Sequence, residues 1–136
     1  MQRRHLAAAL AAPVLLGLAA CETPRPSAAT RRPETLVVFF TEDSAALNES
    51  GLAILRGAAD AAKANPRAPV VVLGFAGPAG SVGFNQALSD ARARQVADHL
   101  VEYGVERSRI AIRPRGPVPF ELIPTESRRV EIRIGA

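Results

Sequence analysis

The chain is 136 residues long, which sets a prior of one domain with short extensions. Hydrophobic residues make up 48%, enough for a small core, but aromatics are only 4% and Trp is absent, so that core must be aliphatic. The formal charge of +4 falls to +2 once Arg3 and Arg4 are set aside with the first 20 residues, since 15 Lys and Arg then face 13 Asp and Glu. The remaining basic residues are spread out and no aromatics interleave with them, which argues against a nucleic-acid partner.

The N-terminus reads MQRRH and is followed by an uncharged, Ala- and Leu-rich run from Leu6 to Ala20. A bilayer span takes about 20 apolar residues, so this run is short for a span and fits the n-region and h-region of a secretory signal. It ends in Leu18-Ala19-Ala20-Cys21, small residues directly before the single cysteine. The pattern resembles a bacterial lipobox, which implies a signal peptide over 1–20 and a lipidated Cys21 as the mature N-terminus. With no second Cys, no disulfide is expected despite export. Residues 22–35, ETPRPSAATRRPET, hold three prolines and almost no large apolar side chain. They predict a tether, which at about 3.1 Å per residue reaches on the order of 40 Å. The folded domain is expected over 36–136.

LVVFF (36–40) predicts a strand, broken by TEDS (41–44). Asn48 predicts an N-cap for a helix from about Glu49 to Ala64, with Leu52, Leu55, Ala59 and Ala62 on one side. Asn65-Pro66 stops it. PVVVLG (69–74) is continuous and β-branched, as a buried central strand requires. GFAGPAGS (74–81) is a tight loop, and Ser81 predicts the cap of a second helix running to about Tyr103 and ending at Gly104. RIAIR (109–113) and RVEIRI (129–134) alternate as strands, with Val130, Ile132 and Ile134 inward. The order is βαβαββ, which predicts an α/β sandwich with helices packed on one face of a four-stranded sheet.

The second helix carries an anomaly. At about 100° per residue, Leu88 and Val96 share a stripe that continues through Leu100 and Tyr103, and Arg92 lies between them with no acid three or four residues away. Asn85 is on the same side. Arg94 does what is expected of an arginine on a helix, facing outward four residues from both Asp90 and Asp98.

Taken together, the region 36–136 resembles the OmpA-like peptidoglycan-binding domain. The pieces stand in that family's order: a strand ending in Phe40, a polar turn with Ser44 before Leu47, the loop from Gly74 to Gly80-Ser81, Asn85 with Leu88-Ser89, Arg92-Ala93 and Val96, Gly104-Val105 with Ser108-Arg109-Ile110, and Arg128-Arg129-Val130-Glu131-Ile132. The resemblance implies a four-stranded mixed sheet and a lipid-anchored envelope protein. Its domain would face the periplasm from the outer membrane and contact the stem peptide of peptidoglycan. It implies that Arg92 pairs with a carboxylate of diaminopimelate, as a planar guanidinium suits a carboxylate fork. It places Asn85, Asp43 and Arg128 in the same pocket.

One departure stands out. The family loop usually reads G-H-T-D, and its Asp takes the ligand's ammonium. Here the loop reads Gly74-Phe75-Ala76-Gly77, and the segment before Arg128 is short and lacks the usual upstream Arg. A lost charge-assisted hydrogen bond costs about 1.5–3 kcal/mol, or roughly ten- to a hundredfold in affinity. Asp43, or Glu42, is a candidate replacement, and a ligand with a carboxylate but no ammonium is the alternative. Each site residue also has a plainer reading: Asp43 as a turn residue, Asn85 as a loop-to-helix hydrogen bonder, Arg128 as a solvated strand end, and Arg92 as a bridge between backbone carbonyls or a partner of Asp43.

Catalysis has little support. His99 is the only histidine beyond the leader, Ser44 and Ser89 have no His–Asp arrangement, GPAGS lacks nucleophile-elbow spacing, and no cluster has metal-ligand spacing. Neither an enzyme nor a cofactor is expected. Two readings remain: a peptidoglycan-binding module with weakened or altered ligand recognition, or a non-binding scaffold that docks another envelope protein. In the second, Phe75, Pro78 and Pro117-Val118-Pro119-Phe120 would form an apolar contact surface.

Overall fold

A computed structural model describes residues 32–119 and 124–135 of the chain. The expected leader, Cys21 and nearly all of the tether lie outside these residues, as does Phe120. The elements are β1 (Glu34–Phe39), α1 (Glu49–Ala64), β2 (Val70–Ala76), α2 (Val82–Glu102), β3 (Ile110–Pro117), a one-turn α3 (Pro124–Ser127) and β4 (Arg129–Ile134). A 3₁₀ turn over Arg107–Arg109 leads into β3.

The sheet order is β1-β4-β2-β3. β4 is antiparallel to both β1 and β2, and β2 is parallel to β3. The sheet is therefore mixed and open, with the helices packed on it, as expected. Val38, Val70, Val72, Val130, Ile132 and Ile134 meet Leu55, Ala58, Ala59, Ala62, Val96 and Leu100 in one core. Phe40 is its one fully buried aromatic neighbour at 3% exposure, so the core is aliphatic, as the composition requires. Small alanines on α1 let that helix lie close to the sheet, and each buried Leu or Val contributes on the order of 1.5–3 kcal/mol. All of this core lies between β1 and β4, so this part of the chain has what it needs to fold alone.

Both long helices begin where their caps predict. Asn48 accepts from Gly51 N at 2.8 Å and Ser81 accepts from Phe84 N at 3.1 Å. The C-terminal carbonyls of α1 are met by Arg109, whose Nη2 donates to Ala62 O and Asn65 O at 2.9 Å, a favourable place for a cation.

Several boundaries differ from the sequence expectation, among them the end of β2, which runs on through Phe75 to Ala76, two residues expected in the loop. β1 starts at Glu34 rather than Leu36, because Glu34 and Thr35 pair with Ile134 and Arg133. β3 runs on to Pro117 rather than stopping at Arg113. Pro114 is tolerated because β3 is an edge strand, bonded only to β2. α3 was hidden behind a proline-rich stretch.

Candidate functional site

β1, β2 and β3 run in one direction and β4 in the other, so the ends of β1 and β2 and the start of β4 share one pole of the sheet. A cleft of about 70 Å³ opens there. Glu42 and Asp43 reach it from the β1–α1 turn, Gly77, Pro78 and Ala79 from the β2–α2 loop, Asn85, Leu88 and Arg92 from α2, and Ser127 and Arg128 from the entry to β4. All four residues assigned to the ligand on the resemblance are therefore brought to one cleft from three separate segments. The N-terminal end of α2 borders it and has no acid in its first turn, which leaves the helix dipole open to an anion.

Arg92 is fully buried. Its Nε donates to Ser44 O at 2.8 Å, its Nη1 to Phe75 O at 3.1 Å and its Nη2 to Thr41 O at 2.9 Å. The guanidinium also lies over the Phe40 ring, 5.2 Å from the centroid. Three of its five N–H groups thus tie the turn after β1 to the end of β2, and the side chain still lines the cleft. Burial, and after it the charge of Arg128, lowers its pKa to about 10 against the opposing pull of Asp43, so it remains a cation at neutral pH. The carbonyl-bridging reading of Arg92 describes most of its bonds. It sits in the middle of the buried stripe of α2, with Asn85, Ser89, Ala93 and Val96.

Asn85 is 3% exposed, and its Nδ2 donates to Ala79 O at 2.6 Å, pinning the glycine loop to the helix. Asp43 is exposed and has φ 51°, a left-handed conformation that Asp adopts more readily than bulkier residues. The tight turn it makes presents its carboxylate to the cleft. Arg128 is half-buried. Its Nη2 donates to Thr125 Oγ1 at 3.2 Å, while its Nε is buried with no hydrogen-bond partner. An unpaired buried N–H on a cation carries a desolvation penalty that an incoming anion would relieve.

Among the lining residues, Ser127 has no place in the sequence reading, and Leu88 has one only in the helix stripe and its motif. Ser127 is 1% exposed, and a Cβ added to Gly77 would lie 3.2 Å from its Oγ. Leu88 supplies an apolar wall. Ser127 carried no signal beyond its position beside Arg128.

Other expectations resolve simply. Phe75 is not an exposed docking residue: it is 8% exposed and the Arg129 guanidinium covers its ring at 4.1 Å. Arg94 pairs with Asp90 at 2.8 Å, but Asp98 turns to Arg107 instead. His99 is held by Glu102 and stacks on Tyr103. Among the described residues no group of His, Cys, Asp and Glu has the arrangement of a metal site, and no helix is long and apolar enough to cross a membrane.

The sequence pattern of the OmpA family matches residues 39–120. The chain is 39% identical over 101 residues to the peptidoglycan-binding protein ArfA of Mycobacterium tuberculosis, a match covering 70% of this chain and 31% of that protein. It is 30% identical over 116 residues to the peptidoglycan-associated lipoprotein of Legionella pneumophila, covering 81% and 66%. The chain thus spans about a third of the length of the mycobacterial relative. In fold it matches the crystal structure of the peptidoglycan-associated lipoprotein from Burkholderia pseudomallei, with a TM-score of 0.68 at 24% identity over 72% of this chain and 88% of that one.

Proposed function

The chain belongs to the OmpA family, and from that premise we infer that its domain grips peptidoglycan without covalent chemistry, through the cleft at the carboxyl ends of β1 and β2. The observation that carries this reading is the pairing of charges there. Arg92 and Arg128 are cations with unspent or unpartnered N–H groups, and Glu42 and Asp43 are carboxylates facing the same space. A zwitterionic diaminopimelate end offers one carboxylate and one ammonium, and this cleft offers a partner of each sign. Arg128 takes the carboxylate together with what Arg92 has left. Asp43 takes the ammonium in place of the loop acid that Gly77 replaces. Asn85 holds the loop in shape.

In this reading residues 1–20 are a leader, Cys21 carries lipid, and residues 22–33 link an outer-membrane anchor to a periplasmic domain. No step of bond making or breaking is involved. β1 enters at the pole opposite the cleft, beside Ile134 and Val70, so the tether and the wall pull on opposite ends of the sheet.

Co-sedimentation of residues 22–136 with purified sacculi tests the proposal. The wild type is expected in the pellet, with Arg128→Ala and Asp43→Asn each weakening binding roughly ten- to a hundredfold. Gly77→Asp is expected to strengthen it by returning an acid to the loop, since among the described residues only Ser127 Oγ, at 3.2 Å, lies within 4 Å of the added Cβ. Wild-type protein that stays in the supernatant at every sacculus concentration would sink the binding reading and leave the scaffold reading in its place.

A further inference from the structure

Sequence spacing scatters the arginines, but the fold gathers four of them on the sheet face turned away from the helices. Alternation along β3 and β4 puts Arg113, Arg115, Arg129 and Arg133 there, with Glu131 the one acid on those two strands. Arg129 and Arg133 share Glu131 at 2.9 and 2.7 Å. Arg113 and Arg115 are exposed and have no hydrogen bond or ion pair among the described residues. Between them and Arg133 lies a groove of about 360 Å³ whose floor is Val71, Leu73 and Phe75. None of these residues lines the cleft at the pole.

We propose that this face is a second binding surface and that its occupant is an anionic phospholipid membrane. The cations are all arginines, whose planar fork matches phosphate oxygens. An apolar floor beneath the charges, with Phe39 48% exposed at the far edge of the same face, gives the mixed character of a surface that sits at the boundary of head groups and acyl chains. The sequence ahead of β1 carries Arg25, Arg31 and Arg32 against Glu22 alone, a net charge of the same sign. A strand-adding acidic polypeptide is a poorer fit, because the β3 edge carries Pro114 and Pro117.

Sedimentation of residues 22–136 with vesicles tests this. Phosphatidylcholine alone is compared with a mixture holding about 30% phosphatidylglycerol, at about 0.05 M and about 0.5 M salt. The protein is expected to pellet with the anionic vesicles at low salt, to stay in solution with neutral ones, and to be released at high salt. The double variant Arg113→Ser/Arg115→Ser is expected to bind about thirtyfold more weakly, while Arg94→Ser on the helical side changes little. Both arginines are exposed and unpaired, so the double variant keeps its fold, and its sacculus binding stays at the wild-type level. Undiminished vesicle binding by the double variant overturns the assignment, as does equal binding to neutral vesicles or none to anionic ones. Retention on polyglutamate without vesicle binding gives the face to an acidic polypeptide and overturns it too.

Discussion

Arg92 is the largest side chain that the fold buries completely, and its three carbonyl partners come from two other segments. Removing it strands three acceptors and opens a cavity. Arg92→Ala is therefore expected to lower stability by about 2–4 kcal/mol in urea unfolding. Arg92→Lys is expected to recover only part of this, since a point ammonium cannot span the three carbonyls that a planar fork spans. Loss of wall binding in an Arg92 variant would then report a collapsed cleft as readily as a lost contact, so Arg128 is the better residue on which to test the ligand. Periodicity alone singled out Arg92 as misplaced, because no acid stands three or four residues away on its face of the helix. Its partners stayed hidden because they are main-chain carbonyls 17 to 51 residues away, and a carbonyl has no residue-type signature.

Where α2 crosses β2, the two backbones meet at Gly74, and a Cβ there would run into the Ser89 carbonyl oxygen. Backbone cannot swing aside as a side-chain tip can. Gly74→Ala is expected to cost about 1–3 kcal/mol or more. Gly57 makes the opposite case: it is exposed in mid-helix, with nothing within 4 Å of an added Cβ. Gly57→Ala is expected to gain about 0.5–1 kcal/mol. Thermal melts of the two single variants should move in opposite directions, and a loss at Gly57 would show that α1 is set by something other than propensity. The helices were the most legible elements because Asn48 and Ser81 write their starts into the chain. β3 was the least legible, because prolines that usually end a strand sit harmlessly on a sheet edge. The Gly74 crossing was legible only as a loop glycine, since the crowding comes from a helix that follows it in sequence.

The last strand in sequence is an inner strand in space, and β1 has no other strand partner. β4 thus joins β1 to the rest of the sheet, and the acid of that strand couples global stability to pH. Glu131 is 13% exposed at its side chain and lies between Arg129 and Arg133. Burial pushes its pKa up, but the hydrogen bonds and charges of Arg133 and Arg129 outweigh burial and leave it below the ordinary value of 4.5. Because the folded value is the lower one, the contribution is whole above about 4.5 and is lost as pH falls through the folded value. Below that point Arg129 and Arg133 also lose the charge that separates them. Melting temperature is expected to drop on acidification from about pH 5 to about pH 3, and Glu131→Gln is expected to lower stability at neutral pH while flattening that drop. The flattening is the diagnostic part. A Glu131→Gln protein that melts lower than wild type by the same margin at both ends of the range would show that the acid limb is set by other carboxylates, and that Glu131 holds β4 by shape rather than by charge.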